Sequence, residues 1–516
     1  MLRFIATKNA NLVDRALQQM VHHGGSKRSG ASGDEDGFIL QHGLRSTPRL
    51  AAYRLAEPMP THRPTYPSRS PKIMRVKLPP LRKLAVPALL GFGIVVTLGR
   101  EVVFALGLGG SSDLEVFRLA FGAPNMMGQS MAPTFVGVML PLLAHAAAQG
   151  RDQEARMRQR ILRFNFFGVA ALCLLGMVTA YPLSRVLAPG YQGEMLDQVA
   201  TQLRILWLFF GITGLSFSAR TFLNQREVFW PGASTSLAVS LCFVVAGFGI
   251  ASGALPKEAT PLSWAAVAGG AVVLLLQMQA KPYRRLDFAK PPARSPHDVP
   301  ILLPMLGALF ATICASAPRF LDRAYASSMP SGSVAALEYS YNVLAAPGIL
   351  LGTTFVMVMF PSFARGVAAG APRAAARKVL PLFLWTTSGA LAISLLVHGF
   401  ADSLVTLFYQ RGAFAEADAA ATADVLRWQC LGMMPMVAGM ILAQGFLGLR
   451  LIRFLLLLSF LRIGLRWIAL EVFVPRFGLE GLGLAYTFTE AIALVIAALL
   501  FARRLPRDSS TASLSS

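Results

Sequence analysis

The chain has 516 residues, of which 54% are hydrophobic and only 14% are charged. A soluble globular protein carries about a quarter charged residues, so this composition excludes a soluble fold. The net charge is +22, yet the basic residues gather in the first 83 residues and in alternate loops. That distribution is the positive-inside pattern of a membrane protein, and it argues against nucleic acid as a partner.

Residues 1–83 differ in composition from the rest of the chain. They are rich in Arg, Pro, Ser, His and Gly and lack apolar periodicity, so we expect a basic, largely disordered cytoplasmic tail. Met74 is followed by basic residues and then by the first apolar run, which leaves Met74 open as the translational start. A second disordered cytoplasmic tail is expected over residues 505–516.

From Leu84 onward, the apolar runs predict an all-α integral membrane protein, because each run reaches the length of about 20 residues that a bilayer core requires. The second and eighth runs are longer than a span needs and should tilt or extend beyond the bilayer. The twelve predicted spans are 84–107, 114–148, 160–187, 198–222, 228–253, 260–280, 300–326, 334–364, 376–400, 419–447, 452–473 and 480–502.

The loops alternate in charge. Basic residues crowd the loops after even-numbered spans, whereas the loops after odd-numbered spans hold only Lys257, Arg411 and Arg476. The positive-inside rule therefore predicts a multi-pass protein of the bacterial inner membrane with both termini in the cytoplasm.

Signatures of enzymes are missing from the sequence. It holds no phosphate-binding loop, no His-Glu-x-x-His and no nucleophile elbow, and its four cysteines show no metal-ligand spacing. We therefore expect no enzyme, no metal site and no cofactor. Without a nucleotide-binding domain, transport should draw on the membrane potential or on an ion or substrate gradient.

An internal repeat relates the two halves of the chain. Because the repeat covers six helices, an even number, it predicts two six-helix bundles of the same orientation, residues 84–298 and 299–504, related by an axis along the membrane normal. At a constant offset of 223 residues, the matching pairs are Arg100 with Arg323, Gly109 with Gly332, Glu115 with Glu338 and Pro124 with Pro347.

Ionisable residues at membrane depth cost about 2.5–3.5 kcal/mol on insertion scales, so they generally face a partner or water. One interpretation is a polar chamber between the bundles, where guanidinium groups hold an anionic headgroup. The alternative is that Glu115–Arg118 and Asp322–Arg323 are local ion pairs near the outer interface. The chamber candidates are Arg100, Glu115, Arg118, Arg319, Asp322, Arg323 and Glu338.

The repeat favours the chamber for Arg100 and Arg323, whereas local pairing is favoured for Arg118 and Asp322. Arg319, Asp322 and Arg323 lie close enough on one helix for Asp322 to pair with either arginine. Isolated charges, for which interfacial or packing roles are expected, are Arg204, Arg427, Arg466 and Glu490. Candidate bends of a rocking transporter are Pro124, Pro141, Pro347 and Pro361.

Several short stretches resemble the MurJ/MviN lipid II flippases of the multidrug/oligosaccharidyl-lipid/polysaccharide exporter superfamily. The resemblance implies a V-shaped pair of bundles that carries an undecaprenyl-pyrophosphate-linked saccharide to the periplasmic leaflet by alternating access, using the membrane potential. The stretches are Arg100-Glu101, residues 115–125, Leu187-Ala-Pro-Gly-Tyr191, Asp322-Arg323 with residues 331–334, Phe360-Pro361-Ser362 and residues 407–414.

The chain also departs from that family. The family has fourteen helices, two more than are predicted here, and several of its expected headgroup-binding cations are replaced. Ile94, Gly128, Gln129 and Asn342 stand where the family has arginines, Pro133 stands where it has a glutamate, and Tyr341 stands where it has an aspartate. We therefore expect a specialised relative that exports a lipid-linked exopolysaccharide or capsule precursor, with envelope glycosyltransferases or a polymerase as possible partners besides the bilayer.

Three alternatives stay open at this stage. They are a flippase of lipid II itself, a drug or ion exporter of the same superfamily, and a transport-inactive scaffold for envelope assembly. The cationic candidates speak against a drug exporter, which usually needs acidic residues for cation coupling, whereas the replaced arginines keep the scaffold open.

Overall fold

The computed structural model describes residues 81–280, 302–449 and 451–505, and regular secondary structure within these ranges is entirely helical. Three predictions lie outside the described residues: the tail before residue 81, the boundary between the halves at 298–299 and the tail from residue 506 onward. The described residues belong to one compact unit.

In the first half, the described residues form eight helices: α1 (Leu81–Leu108), α2 (Ser112–Ala148), α3 (Arg151–Val178), α4 (Ala180–Leu187), α5 (Glu194–Gln225), α6 (Trp230–Ala233), α7 (Thr235–Ala251) and α8 (Ala259–Gln279).

In the second half, the described residues form a further eight: α9 (Leu302–Ser327), α10 (Ser333–Ala368), α11 (Pro372–Gly399), α12 (Ala401–Tyr409), α13 (Glu416–Gln429), α14 (Met433–Gly448), α15 (Ile452–Phe477) and α16 (Leu479–Arg504). A short 3-10 turn, Cys430–Gly432, joins α13 to α14.

Every predicted span coincides with one of these helices or with a pair of them. Three spans correspond to pairs: the third to α3 and α4, the fifth to α6 and α7, and the tenth to α13 and α14. Pro182 accounts for the division between α3 and α4, since it has no N–H to donate to the carbonyl of Val178. The second half divides at the same place, between α11 and α12, where Gly399 weakens the helix. The shared division supports the repeat.

The long helices α2 and α10 contain 37 and 36 residues, as the sequence predicts. Pro124 and Pro141 lie inside α2, and Pro347 and Pro361 lie inside α10. Their role as bends during transport stays a prediction.

Ten helices among the described residues are long and apolar enough to cross a membrane. Helices α9 and α15 lie outside that set, and both carry charged residues of the ion clusters described below. The fold is that of an all-α integral membrane protein.

Each half is organised around one central helix. In the first half, α5 packs against α2, α3 and α8, and in the second half, α10 packs against α11, α13 and α14. The halves meet where α2 packs against α9 and α10, and where α1 packs against α10 and α12.

Candidate functional site

The two halves are joined at one end of the molecule. The amide of Ala413 donates to the carbonyl of Leu106 (3.0 Å), and the amide of Gly110 donates to the carboxylate of Asp418 (3.2 Å). We call this the closed end, and it comprises the connecting segments 109–111, 188–193, 328–332 and 410–415. All four connect an odd-numbered predicted span to the next one.

The hydrogen bonds between α2 and the second half, among the described residues, begin at Glu115 and extend to Met126, whose Sδ lies 3.9 Å from Arg323 Nη1. The remaining 22 residues of α2, about 33 Å of helix, lie beyond that contact. We use the name cleft for the region between this part of α2 and α10.

Glu115 links the halves directly. One carboxylate oxygen accepts hydrogen bonds from the amides of Val334 (2.7 Å) and Ala335 (3.3 Å) in the first turn of α10, and the other accepts from the Tyr191 hydroxyl (3.0 Å). Burial, and the neighbouring carboxylate, raise the pKa of Tyr191, so the hydroxyl remains a donor. A carboxylate is stabilised at a helix N-terminus because the free amides point toward it.

Arg118 makes the second link. It donates to Glu101 (2.8 Å) and to the carbonyl of Ala335 (2.8 Å), and its guanidinium carbon lies 3.8 Å from the centre of the Tyr339 ring. Glu101, which is 2% exposed, also accepts from Arg100 at 2.5 and 3.0 Å. Glu101 therefore holds two arginines in place.

Glu338 on α10 is shared by two arginines of α9. Arg319 donates to one carboxylate oxygen (2.8 Å) and Arg323 to the other (2.7 Å). Arg319 also lies over the Tyr341 ring at 3.6 Å. Arg323 reaches across to α2 at Gly122, where an added Cβ would lie 1.9 Å from its Nη1.

A separate ion network lies inside the second half. Arg466 on α15, whose side chain is 1% exposed, donates to both carboxylate oxygens of Asp322 (2.9 and 2.7 Å) and to Thr489 (3.1 Å). Glu490 accepts from Arg466 (3.4 Å) and from Arg462. This network joins α9, α15 and α16, and in the part of the chain that the structure describes no hydrogen bond joins the carboxylate of Asp322 to Arg319 or Arg323.

The predicted local pairs are wrong. Glu115 is bonded to α10 rather than to Arg118, and Asp322 is bonded to Arg466 rather than to Arg319 or Arg323. Buried charges need several hydrogen bonds, and neighbouring helices offer more partners than a single turn of one helix does.

Three charges that look isolated in the sequence are also paired. Arg466 and Glu490 are members of the network described above, and Arg427 is bonded to Asp402 (2.7 Å) and to Asp424 (3.5 Å). Apart from Asp424, which lies three residues before Arg427 on α13, these partners lie on other helices, so sequence spacing did not reveal them.

The structure brings six of the seven chamber candidates together near the closed end and places Asp322 in the other network. Sequence reasoning missed Glu101 as a site residue, although a carboxylate inside a predicted span was a signal. Four guanidinium groups and three carboxylates leave one positive charge in excess, which favours an anion. The members of this cationic cluster are Arg100, Glu101, Glu115, Arg118, Arg319, Arg323 and Glu338.

Residues 104–515 match the family model described as lipid II flippase MurJ. Lipid II flippase MurJ of Burkholderia cenocepacia is 24% identical over 406 residues, which cover 76% of this chain and 77% of that protein. A probable lipid II flippase MurJ of Rhizobium tropici is 26% identical over 360 residues, covering 67% of this chain and 66% of that protein.

Solved structures show the same fold. A lipid II flippase MurJ in an inward closed conformation aligns with a TM-score of 0.71 at 15% identity, covering 82% of this chain and 88% of that chain. An inward-facing multidrug resistance MATE family transporter aligns with a TM-score of 0.63 at 14% identity, covering 82% and 98%. At these identities the structural likeness supports the fold alone.

The family model covers most of the chain, from the end of α1 to the residues after α16. The family consists of non-catalytic transporters, and both its sequence pattern and its helical architecture are present here. This chain belongs to the lipid II flippase MurJ family and is a multi-pass flippase for lipid-linked precursors in the bacterial inner membrane, not an enzyme.

Proposed function

We propose that this chain moves a polyprenyl-pyrophosphate-linked saccharide from the cytoplasmic to the periplasmic leaflet by alternating access, with the cationic cluster holding the diphosphate. The observation that carries this proposal is the sharing of Glu338 by Arg319 and Arg323 beside the cleft. A diphosphate offers more oxygens to two guanidinium forks than one carboxylate does, so it can compete for them.

The closed end is proposed to face the periplasm, because its connecting segments are those with few basic residues. In this arrangement the cleft opens to the cytoplasm, where the lipid-linked precursor is made. Reporter fusions after Arg365 and after Arg504 should both behave as cytoplasmic, and a periplasmic signal at either would reverse the assignment.

Transport is proposed to use the membrane potential and no cofactor. A net positive site that carries an anionic group across the bilayer moves charge, and one elementary charge is worth about 2.3 kcal/mol per 100 mV. In proteoliposomes, an imposed potential should therefore change the initial rate of flipping. A rate independent of the potential would contradict this part of the proposal.

The function is tested by reconstituting the full chain with an undecaprenyl-pyrophosphate-linked saccharide and measuring its appearance in the opposite leaflet. We expect Glu338→Gln to slow flipping by about tenfold or more, because both arginines lose a charged partner that positions them. Arg427→Ala, which removes an exposed ion pair outside the cleft, is the matched control. Wild-type flipping by a folded Glu338→Gln variant would refute the proposal.

We further propose that the saccharide is an exopolysaccharide or capsule precursor rather than lipid II. Support comes from Gly128 and Gln129 on α2 and Asn342 on α10, at positions where the family carries cations or their partners. This chain should not restore growth to a strain depleted of its essential lipid II flippase. Full complementation would assign lipid II as the substrate, and genes for glycosyltransferases or a polymerase beside this one would support the proposal.

A further inference from the structure

Two polar residues of the first half lie outside the cationic cluster. Arg220 is half-buried on α5, and in the part of the chain that the structure describes no carboxylate pairs with it. Gln277 on α8 is 0% exposed, and neither its amide oxygen nor its amide nitrogen has a hydrogen-bond partner among the described residues. Buried polar groups are nearly always satisfied, so a fully unpaired amide requires an explanation.

Helices α5 and α8 run in parallel with a fixed register. The Gln202 amide donates to the Thr260 hydroxyl (3.1 Å), and a Cβ added at Gly270 would lie 3.1 Å from Thr213 Cγ2. The contacting residues are 58 and 57 positions apart in the chain. The two helices therefore keep the same register over at least three turns.

Arg220 and Gln277 are also 57 positions apart. Each lies seven residues beyond the Thr213 and Gly270 contact, which is close to two full turns, so both return to the facing sides of their helices about 10 Å further along. The Arg220 side chain crosses α6 at Gly232, where an added Cβ would lie 2.9 Å from its Nε. A glycine at this position makes room for the guanidinium.

The corresponding junction of the second half, between α14, α15 and α16, has an apolar interior, and the guanidinium groups of Arg453 and Arg504 lie over its Phe454 ring at 5.1 and 5.3 Å. Phe454 is the third residue of α15, as Gly232 is of α6, and Ala497 is the nineteenth of α16, as Gln277 is of α8. Phe454 and Ala497 are buried in one cluster with Phe446, against which Leu442 packs. The architecture therefore does not require a buried amide at this junction, where the second half has Ala497.

We propose that Arg220 and Gln277 form a phosphate-binding site in the first half, distinct from the cationic cluster. The guanidinium fork binds two phosphate oxygens, and the Gln277 amide donates to a third. Arg220 lies five residues, about 7.5 Å, before the end of α5 on the side opposite the closed end, a depth at which lipid phosphates occur. The phosphate belongs either to a bilayer lipid headgroup or to the diphosphate of a lipid-linked substrate.

The experiment uses the full chain in nanodiscs and two probes. Inorganic diphosphate is titrated in discs of phosphatidylcholine, and retention of phosphatidylglycerol from mixed discs is measured by native mass spectrometry. We expect Arg220→Gln to weaken binding of at least one probe by about tenfold. Gln277→Leu should weaken it less, and Arg427→Gln, at an exposed ion pair outside both sites, should leave that binding unchanged. Arg323→Gln reports separately on diphosphate held by the cationic cluster.

The probe that responds identifies the source of the phosphate. Dependence of diphosphate binding on Arg220 supports the substrate headgroup, and dependence of phosphatidylglycerol retention alone supports a bilayer lipid. The proposal is overturned if the wild type binds neither probe, or if folded Arg220→Gln binds both as the wild type does. If Arg220→Gln fails to fold, Arg220→Lys and Gln277→Leu are measured instead. Binding by both variants at the wild-type level would overturn the proposed site. If Arg323→Gln weakens diphosphate binding and Arg220→Gln does not, the proposed function stands and the site at Arg220 is refuted.

Discussion

The first and second halves hold repeat-related charges in different environments. Arg100 is bonded to its own neighbour Glu101, whereas Arg323 is bonded to Glu338 on the next helix of its half. Glu115, which the repeat relates to Glu338, is bonded to α10 of the other half as well as to Tyr191 of its own. The repeat thus predicts where a charge lies along a helix but not which group it binds.

One substitution explains this divergence. At the offset of 223 residues, Glu101 of the first half corresponds to Ala324 of the second. Because Glu101 satisfies Arg100, Glu115 is free to bind the first turn of α10. Because Ala324 offers no carboxylate, Arg323 must use Glu338. The first half therefore supplies the link between the halves, and the second half supplies the shared carboxylate beside the cleft.

The largest expected effect tests the ion network of Asp322, Arg466 and Glu490 inside the second half. Asp322→Ala should destabilise the protein by about 3–5 kcal/mol, because it leaves the buried Arg466 without its principal carboxylate. Asp402→Ala is the matched control, since its side chain is 71% exposed beside Arg427, and its effect should stay below about 1 kcal/mol. Thermal unfolding in detergent measures both, and equal midpoints would show that the network does not stabilise the second half.

The next effect compares the repeat-related arginines directly. Arg323→Ala should reduce flipping more than Arg100→Ala, because Arg323 contacts both Glu338 and α2, whereas Arg100 is held by its neighbour. The difference should reach about tenfold. Replacement of either by Lys keeps the charge but loses the fork, so it should give an intermediate rate. If the two Ala variants were equally abundant and equally slow, the two arginines would have equivalent roles, as the repeat alone predicts.

Removal of the link between the halves should shift a conformational equilibrium rather than unfold the protein. Glu115→Ala deletes three hydrogen bonds to a carboxylate, and the closed end should lose about 2 kcal/mol of stability. Spin labels at Ser112→Cys and Ala417→Cys, both exposed at the closed end, should then report a longer distance. Glu194, exposed at the start of α5, provides the control, and Glu194→Ala should leave the label distance unchanged. An unchanged label distance in Glu115→Ala would show that Glu115 does not hold the halves together.

The smallest effect concerns Tyr191, which donates to Glu115. Tyr191→Phe should weaken the closed end by about 1 kcal/mol, measured with the same labels. The raised pKa of Tyr191 means that its contribution is present below the ordinary tyrosine pKa of 10.0 and is lost only as the pH rises above it. The wild-type label distance should therefore be constant through neutral pH. A change near neutrality would assign the pH dependence to another group.

Much of the fold follows from the sequence because a bilayer fixes the length of each apolar run. The predicted spans coincide with the helices, and Pro182 gave a visible reason for the division after Val178. The partners of the charges could not be predicted from the sequence. Glu101, Glu338 and Arg466 each have candidate partners on several helices, and only the packing of those helices decides which partner is within reach. Arg220 and Gln277 were visible as single polar residues within apolar runs, but only the register of α5 and α8 places them together.

The close contact at Gly122 can be used in experiments on the motion of the closed end. The guanidinium of Arg323 occupies the place that a side chain at residue 122 would need. Gly122→Ala would therefore move the Arg323 guanidinium away from α2, with the helix itself free to keep its shape. Such a variant offers a way to loosen this contact between the halves while every charge of the chain is kept.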